Sequence, residues 1–286
     1  MSAYEKMPDP FFIRLDVKAG EKPRLDLPCA GYDGSDWRAK GFVNHLISWL
    51  PDYALDNEQL KQFSHASAWE QFREAAIRIY TTKYSEMRGE IGEICLHAIC
   101  RRHFNTFPLV PRVFYLSSSN EVVKGFDLVH YRLPENEKIE LWLGESKFYK
   151  DRKAAIAAAI HSVKLHLSHG FLKNDKLIIG PQIPSSTPRY AEIRGLFKDN
   201  TPIDQLKAKA VFPIGIFAES EAVSGNTSHT EAYLKSVALE LEELATAVTS
   251  SGLADDVSIV LIYVPLRTKA EIINSFDMKL KAIQDG

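Results

Sequence analysis

Cysteine is scarce. Cys29, Cys95 and Cys100 are the only three in 286 residues, and no two of them stand in a Cys-x-x-Cys or zinc-ligand spacing. That excludes a disulfide-stapled scaffold and gives no zinc signature, and the three read as reduced core residues. No Gly-x-x-x-x-Gly-Lys-[Ser/Thr] occurs, so the chain has no P-loop and any ATP-driven step falls to a partner. No long hydrophobic run is present either. The strongest apolar stretch, Val257 to Leu266, is half the roughly 20 residues that a membrane helix needs. The N-terminus shows no basic segment followed by an apolar one, so a cytoplasmic location is expected. Charge of one sign is also missing: 35 Lys and Arg face 37 Asp and Glu, for a net charge of −2, which gives no bulk attraction to nucleic acid. Internal repeats and low-complexity tracts are absent. What remains is the composition of an ordinary globular protein, 45% hydrophobic and 25% charged, long enough for one large domain or two.

The most informative stretch is Leu141-Trp-Leu-Gly-Glu-Ser-Lys-Phe-Tyr149. As a strand it places Leu141, Leu143, Glu145, Lys147 and Tyr149 on one face, and Trp142, Gly144, Ser146 and Phe148 on the other. A carboxylate and an ammonium thus share a face of an otherwise apolar strand. Burying either charge alone is costly, so each needs the other, a metal or water. Upstream, Gly125-Phe-Asp-Leu-Val-His-Tyr131 reads as a second strand, with Asp127 near its start. Pro134-Glu-Asn-Glu-Lys138 between them reads as a hairpin turn. Such a pair brings Asp127 near Glu145, and a divalent cation is the usual remedy for two neighbouring carboxylates.

Arg88-Gly-Glu-Ile-Gly-Glu-Ile-Cys-Leu-His-Ala-Ile-Cys100 has helical periodicity. Ile91, Ile94, Cys95, Ala98 and Ile99 make its buried stripe, while Glu90, Glu93 and His97 fall on another. That second stripe has a plain reading as a solvated face.

Elsewhere, Phe11 to Val17 alternates as a strand, and helices are expected from Trp37 to Leu50, after Asp56 and after Ser67. Arg112 to Leu116 is expected as a strand, followed by a turn at Ser117 to Asn120. A helix from Arg152 to His169 comes next, then a buried strand at Leu177 to Gly180. Further elements are a helix near Tyr190 to Phe197, a strand at Val211 to Phe217, a helix from His229 to about Thr249, a strand at Val257 to Val264 and a helix after Lys269. Charge is unevenly placed: Lys147 to Lys176 holds seven Lys and Arg against two Asp, whereas Glu219 to Asp256 holds eight acids against Lys235 alone. The basic segment offers Lys150, Arg152, Lys153 and Lys164 for sequence-independent contact with DNA phosphates. His161, His166 and His169 lack the i, i+4 spacing of a helical zinc site and read as phosphate contacts or plain surface.

The order of a helix with Glu, strands carrying Asp and then Glu-x-Lys, and a following helix resembles the PD-(D/E)xK nuclease superfamily, over about residues 86 to 180. Phe126 stands where that family often has Pro. The Gly-Glu-x-Gly-Glu helix, Gly-Phe-Asp and Gly-Glu-Ser-Lys resemble, more narrowly, the HamA family of Hachiman antiphage defence systems. The resemblance implies an α/β fold with a restriction-endonuclease-like core, a central mixed sheet flanked by helices in the order αβββαβ. Residues 1–85 would be a mostly helical scaffold or partner-binding region, and residues 86–286 the nuclease domain with a C-terminal α/β extension. It implies a metal-dependent DNA endonuclease in which Asp127 and Glu145 hold Mg²⁺, with Mn²⁺ as an alternative ion. Lys147 would be the catalytic lysine, and Glu93, or else Glu90, would complete or orient the metal shell. It also implies a stable heterodimer with an ATP-dependent helicase. A site-specific restriction-type enzyme and a catalytically inactive binding module with the same fold are the competing expectations.

Overall fold

A computed structural model of the chain describes residues 7–17, 22–62, 64, 66–79, 88–110, 125–135 and 138–286. The chain begins at a sheet edge with β1 (Ile13–Leu15) and β2 (Arg24–Cys29), an antiparallel pair. A small hairpin, β3 (Tyr32–Asp33) and β4 (Asp36–Trp37), leads into α1 (Ala39–Ser48) and α2 (Leu50–Ala54). Pro51 lies in the first turn of α2, where its missing N–H costs nothing. It redirects the helical stretch where termination was expected. Asp56 then caps α3 (Asn57–Lys61) through a reciprocal capping box with Gln59, and α4 (Ala68–Ile79) follows.

The long helix α5 (Gly89–Phe104) ends on Asn105 in the left-handed conformation. β5 (Phe107–Pro108), β6 (Leu128–Arg132) and β7 (Glu140–Tyr149) form the antiparallel side of the sheet. The expected strand at Arg112 to Leu116, with its turn, lies outside the described residues. After β7 come α6 (Arg152–Leu167), α7 (His169–Ile179), α8 (Tyr190–Leu196) and α9 (Ile203–Lys207). β8 (Ala210–Glu219), α10 (Glu221–Ser224), α11 (Glu231–Ser250), α12 (Leu253–Asp256), β9 (Ser258–Leu266) and α13 (Lys269–Asp285) complete the chain.

One expectation is corrected here. Leu177-Ile-Ile-Gly180 is not a strand but the end of α7. The buried positions Leu172, Asp175, Lys176 and Ile179 recur with helical spacing, while Leu177 is half exposed. Asp175 and Lys176 interrupt the apolar stripe, and the three apolar residues left at the end imitate a short buried strand. The parallel neighbour of β7 comes later, as β8.

The result is an α/β protein built on a seven-stranded mixed sheet, ordered β1-β2-β9-β8-β7-β6-β5 and flanked by helices. β2, β9, β8 and β7 run parallel, and the pairings β1–β2, β7–β6 and β6–β5 are antiparallel. β8 and β9 are buried nearly end to end, as parallel strands covered on both faces require. The N-terminal strands close the same sheet through β2 on β9. Among the described residues no helix is long and apolar enough to cross a membrane.

Two glycines set the distance between α5 and the sheet. A Cβ on Gly92 would sit 3.1 Å from the Phe148 Cβ and 3.4 Å from the Ser146 Oγ. One on Gly144 would meet the Leu128 Cβ at 2.9 Å and Leu96 at 3.0 Å. The helix therefore packs onto the Gly144, Ser146 and Phe148 face of β7 at a range that any larger residue would push apart.

Candidate active site

β7 presents its charged residues where the hairpin with β6 begins. Leu128 pairs with Gly144, so Asp127, one position earlier, stands opposite Glu145. The Asp127 amide donates to the Gly144 carbonyl at 2.9 Å, continuing the ladder past the end of β6. Its carboxylate Oδ2 accepts from the Ser146 amide at 2.8 Å and the Ser146 hydroxyl at 3.2 Å. Glu145 is buried, at 5% exposure, and its carboxylate is paired with the Lys147 ammonium. Burial alone would lower the Lys147 pKa. The charge and hydrogen bond of Glu145, with Asp127 further off, hold it above its ordinary value instead. Lys147 is therefore a secure cation between two acids.

The opposite side of the sheet carries the other expected acids. Glu90 and Glu93 lie on α5, the helix that covers the Ser146 and Phe148 face, whereas Glu145 faces α6. The Glu93 carboxylate accepts a hydrogen bond from the Tyr53 hydroxyl at 2.6 Å, which ties α5 to α2. Its stripe is not a solvated face. His97 is buried between Asp52, at 3.0 Å, and His130, at 3.1 Å, and His130 continues to the Thr106 hydroxyl at 2.8 Å. Arg101 closes the same network on Asp52 at 2.7 Å. The structure thus joins Asp127, Glu145 and Lys147, and it leaves Glu90 and Glu93 on a neighbouring polar seam. Among the described residues, no three His, Cys, Asp or Glu side chains converge as a ready-made metal-ligand set.

Two carboxylates on adjacent strands remain a donor set that suits Mg²⁺, which takes one or two carboxylates and fills its shell with water and substrate phosphate. Lys147 beside them is a charge of the right sign for a phosphodiester oxygen.

Of the four basic residues expected at DNA, Lys150, Lys153 and Lys164 are exposed and Arg152 is partly buried. Arg152 and Lys164 are turned to other work. Arg152 lies 3.2 Å from Glu243 and 3.8 Å from Glu240 on α11, and Lys164 donates to the Ser251 carbonyl at 2.7 Å. Two of the four are thus docked on the acidic segment that the sequence set apart from them.

Three features had no signal in the sequence. His166, read there as surface or phosphate contact, is buried beside Glu145, with its Nε2 atom 3.8 Å from Oε2. Asp175 faces the other nitrogen of that ring, and Tyr53 reaches Glu93 from a separate helix. Each depends on packing between separate elements that no local spacing encodes.

These features define an α/β protein with an acid–acid–lysine cluster seated where β6 and β7 meet in a mixed sheet. The HamA family model matches residues 9–280, nearly the entire chain, and the chain belongs to the HamA family, a subunit of the Hachiman antiphage defence system. No curated protein matched the chain.

Proposed function

We propose that this subunit is the metal-dependent DNA endonuclease of its Hachiman complex, restrained and delivered to DNA by a helicase partner. The observation that carries the reading is the placement of Asp127 opposite Glu145, with Lys147 bound to Glu145 two residues further along β7. Asp127 and Glu145 would hold Mg²⁺, or Mn²⁺, whereas Glu93 and Glu90, across the sheet on α5, are left out of that shell. When bound, the ion supplies a water of lowered pKa and offsets charge on the phosphate. Asp127 is oriented for this by the Ser146 amide and hydroxyl, and Glu145 by Lys147. Lys147 stays protonated at neutral pH and is placed to stabilise negative charge that grows on the phosphate oxygens. Lys150 and Lys153 lie just beyond, exposed for contact with the DNA backbone.

Control follows from the absence of a nucleotide-binding motif. A partner must supply ATP-dependent sensing, and a helicase fits the family's role in defence. Co-expression with that helicase, co-purification, and plasmid cleavage with and without Mg²⁺ and ATP test the proposal. The expected result is a stable complex whose Mg²⁺-dependent cleavage responds to ATP. A complex that leaves every plasmid form intact in Mg²⁺ and Mn²⁺, with and without ATP, would contradict the nuclease reading.

A further inference from the structure

Glu145 does not rest on Lys147 alone. The face of β7 that carries it is covered by α6, and the α6 residue against it is His166. The two other surroundings of that imidazole are informative. On one edge, Nδ1 lies 3.3 Å from Asp175 Oδ2 on α7, within hydrogen-bond range. On its flat side, the ring stacks on Phe126, with centroids 4.3 Å apart and planes 27° from parallel. Phe126 is the residue immediately before Asp127 and is itself fully buried. A single imidazole thus leans on the residue that sets Asp127 and points its remaining nitrogen at Glu145.

The arrangement is deep. His166 and Asp175 are each 4% exposed, and Glu145 is 5% exposed. Ionisable groups are rarely kept at such depth without a partner, because desolvation costs several kcal/mol per charge. An ordinary helix–sheet contact would be apolar here. Asp175 and the Phe126 stack place the ring from two directions, with its Nε2 edge turned toward Glu145.

Resting on the nuclease reading above, we infer that His166, braced by Asp175 and Phe126, is a positioning residue that fixes the Glu145 carboxylate for metal binding. Lys147 pairs with Oε1 and the His166 Nε2 atom lies 3.8 Å from Oε2, so each oxygen of the carboxylate has its own neighbour. Partners of this kind, one layer out from a metal ligand, commonly change metal affinity or activity by about 10–100-fold when removed.

The test is Mn²⁺ binding to the full chain without DNA, followed by electron paramagnetic resonance, for the wild type, His166→Ala, His166→Gln and Asp175→Asn. Thermal unfolding of each variant is checked first. Asp175→Asn preserves shape, so it and His166→Gln carry the test if His166→Ala does not fold. The expected result is a roughly 10–100-fold weaker Mn²⁺ affinity for Asp175→Asn and His166→Ala, with part of the loss recovered in His166→Gln. In the helicase complex, the Mg²⁺ concentration for half-maximal cleavage should rise while the rate at saturating Mg²⁺ returns toward wild type. A merely structural role would lower the active fraction at every metal concentration instead. Wild-type Mn²⁺ affinity in folded Asp175→Asn and His166→Gln would overturn this inference and leave the nuclease site standing. Failure of the wild-type chain itself to bind Mn²⁺ would remove the metal site, and this inference with it.

Discussion

Lys147 holds its proton because Glu145 and Asp127 outweigh its own burial. Its folded-state pKa lies above the ordinary 10.5, so the stability the pair contributes is complete below pH 10.5 and is lost only as pH rises through the raised value. Between pH 7 and 10, therefore, the difference in Tm between the wild type and a Glu145→Gln/Lys147→Met double variant should stay constant. Removing one partner is another matter. Lys147→Ala leaves Glu145 buried without its cation, and urea unfolding should show a loss on the order of 3 kcal/mol, largely restored in the double variant. At this scale the sequence was legible: alternation along Leu141 to Tyr149 already put Glu145 and Lys147 on one face. His166 was not, since the residues that bury it come from β7, α7 and the turn before β6.

Between elements, the densest polar contact is the seam of α2, α5 and β6. Asp52, wholly buried, would be raised by desolvation, yet hydrogen bonds and charge from His97 and Arg101 hold it below its ordinary value. His97 and His130 are both lowered, chiefly by burial, and burial takes His45 on α1 down to about 4. The folded protein thus keeps these imidazoles neutral where the unfolded chain protonates them. Their contribution is complete above pH 6.5, the ordinary histidine value, and is lost as pH falls toward the lowered values. Denaturant unfolding at pH 7, 5.5 and 4.5 should therefore show a steady fall in stability, in which each tenfold difference in proton affinity between folded and unfolded chain counts for about 1.4 kcal/mol. Asp52→Ala, which strands Arg101 in the interior, should cost about 3–5 kcal/mol at pH 7 in the same assay. The helix carrying His97 and Arg101 was visible from its apolar stripe, Ile91 to Ile99. Its polar stripe has the spacing of a solvated face as much as of a buried seam, because whether Glu93 and His97 meet water or α2 depends on packing and not on period. The same limit explains α7, where Asp175 and Lys176 are buried polar residues inside a helical pattern.

Over the whole molecule, the separation of charge along the chain is partly cancelled in space. The acidic helix α11 lies against the basic helix α6, and Glu240, Glu243 and the Ser251 carbonyl engage Arg152 and Lys164. Counting charges along the sequence could not show this, since the partners are about ninety residues apart. The four lysines and arginines should consequently divide. Lys150→Ala and Lys153→Ala should each reduce the slope of log affinity for DNA against log salt by about 1, without regard to sequence. Arg152→Ala should leave that slope nearly unchanged and lower Tm, because Glu240 loses a buried counter-charge. Fluorescence anisotropy with a labelled duplex across a salt series, beside thermal unfolding, separates the two outcomes.

Asp127, Glu145 and Lys147 are proposed to form one metal-dependent site, and groups that act as a unit are not additive. The most direct measurement is the rate of supercoiled plasmid cleavage in Mg²⁺ by the helicase complex carrying folded Asp127→Asn, Glu145→Gln, Lys147→Ala, or all three. Each single variant is expected to abolish cleavage about as fully as the triple variant does, with the complex intact. Wild-type-like cutting by folded Glu145→Gln would contradict that proposal.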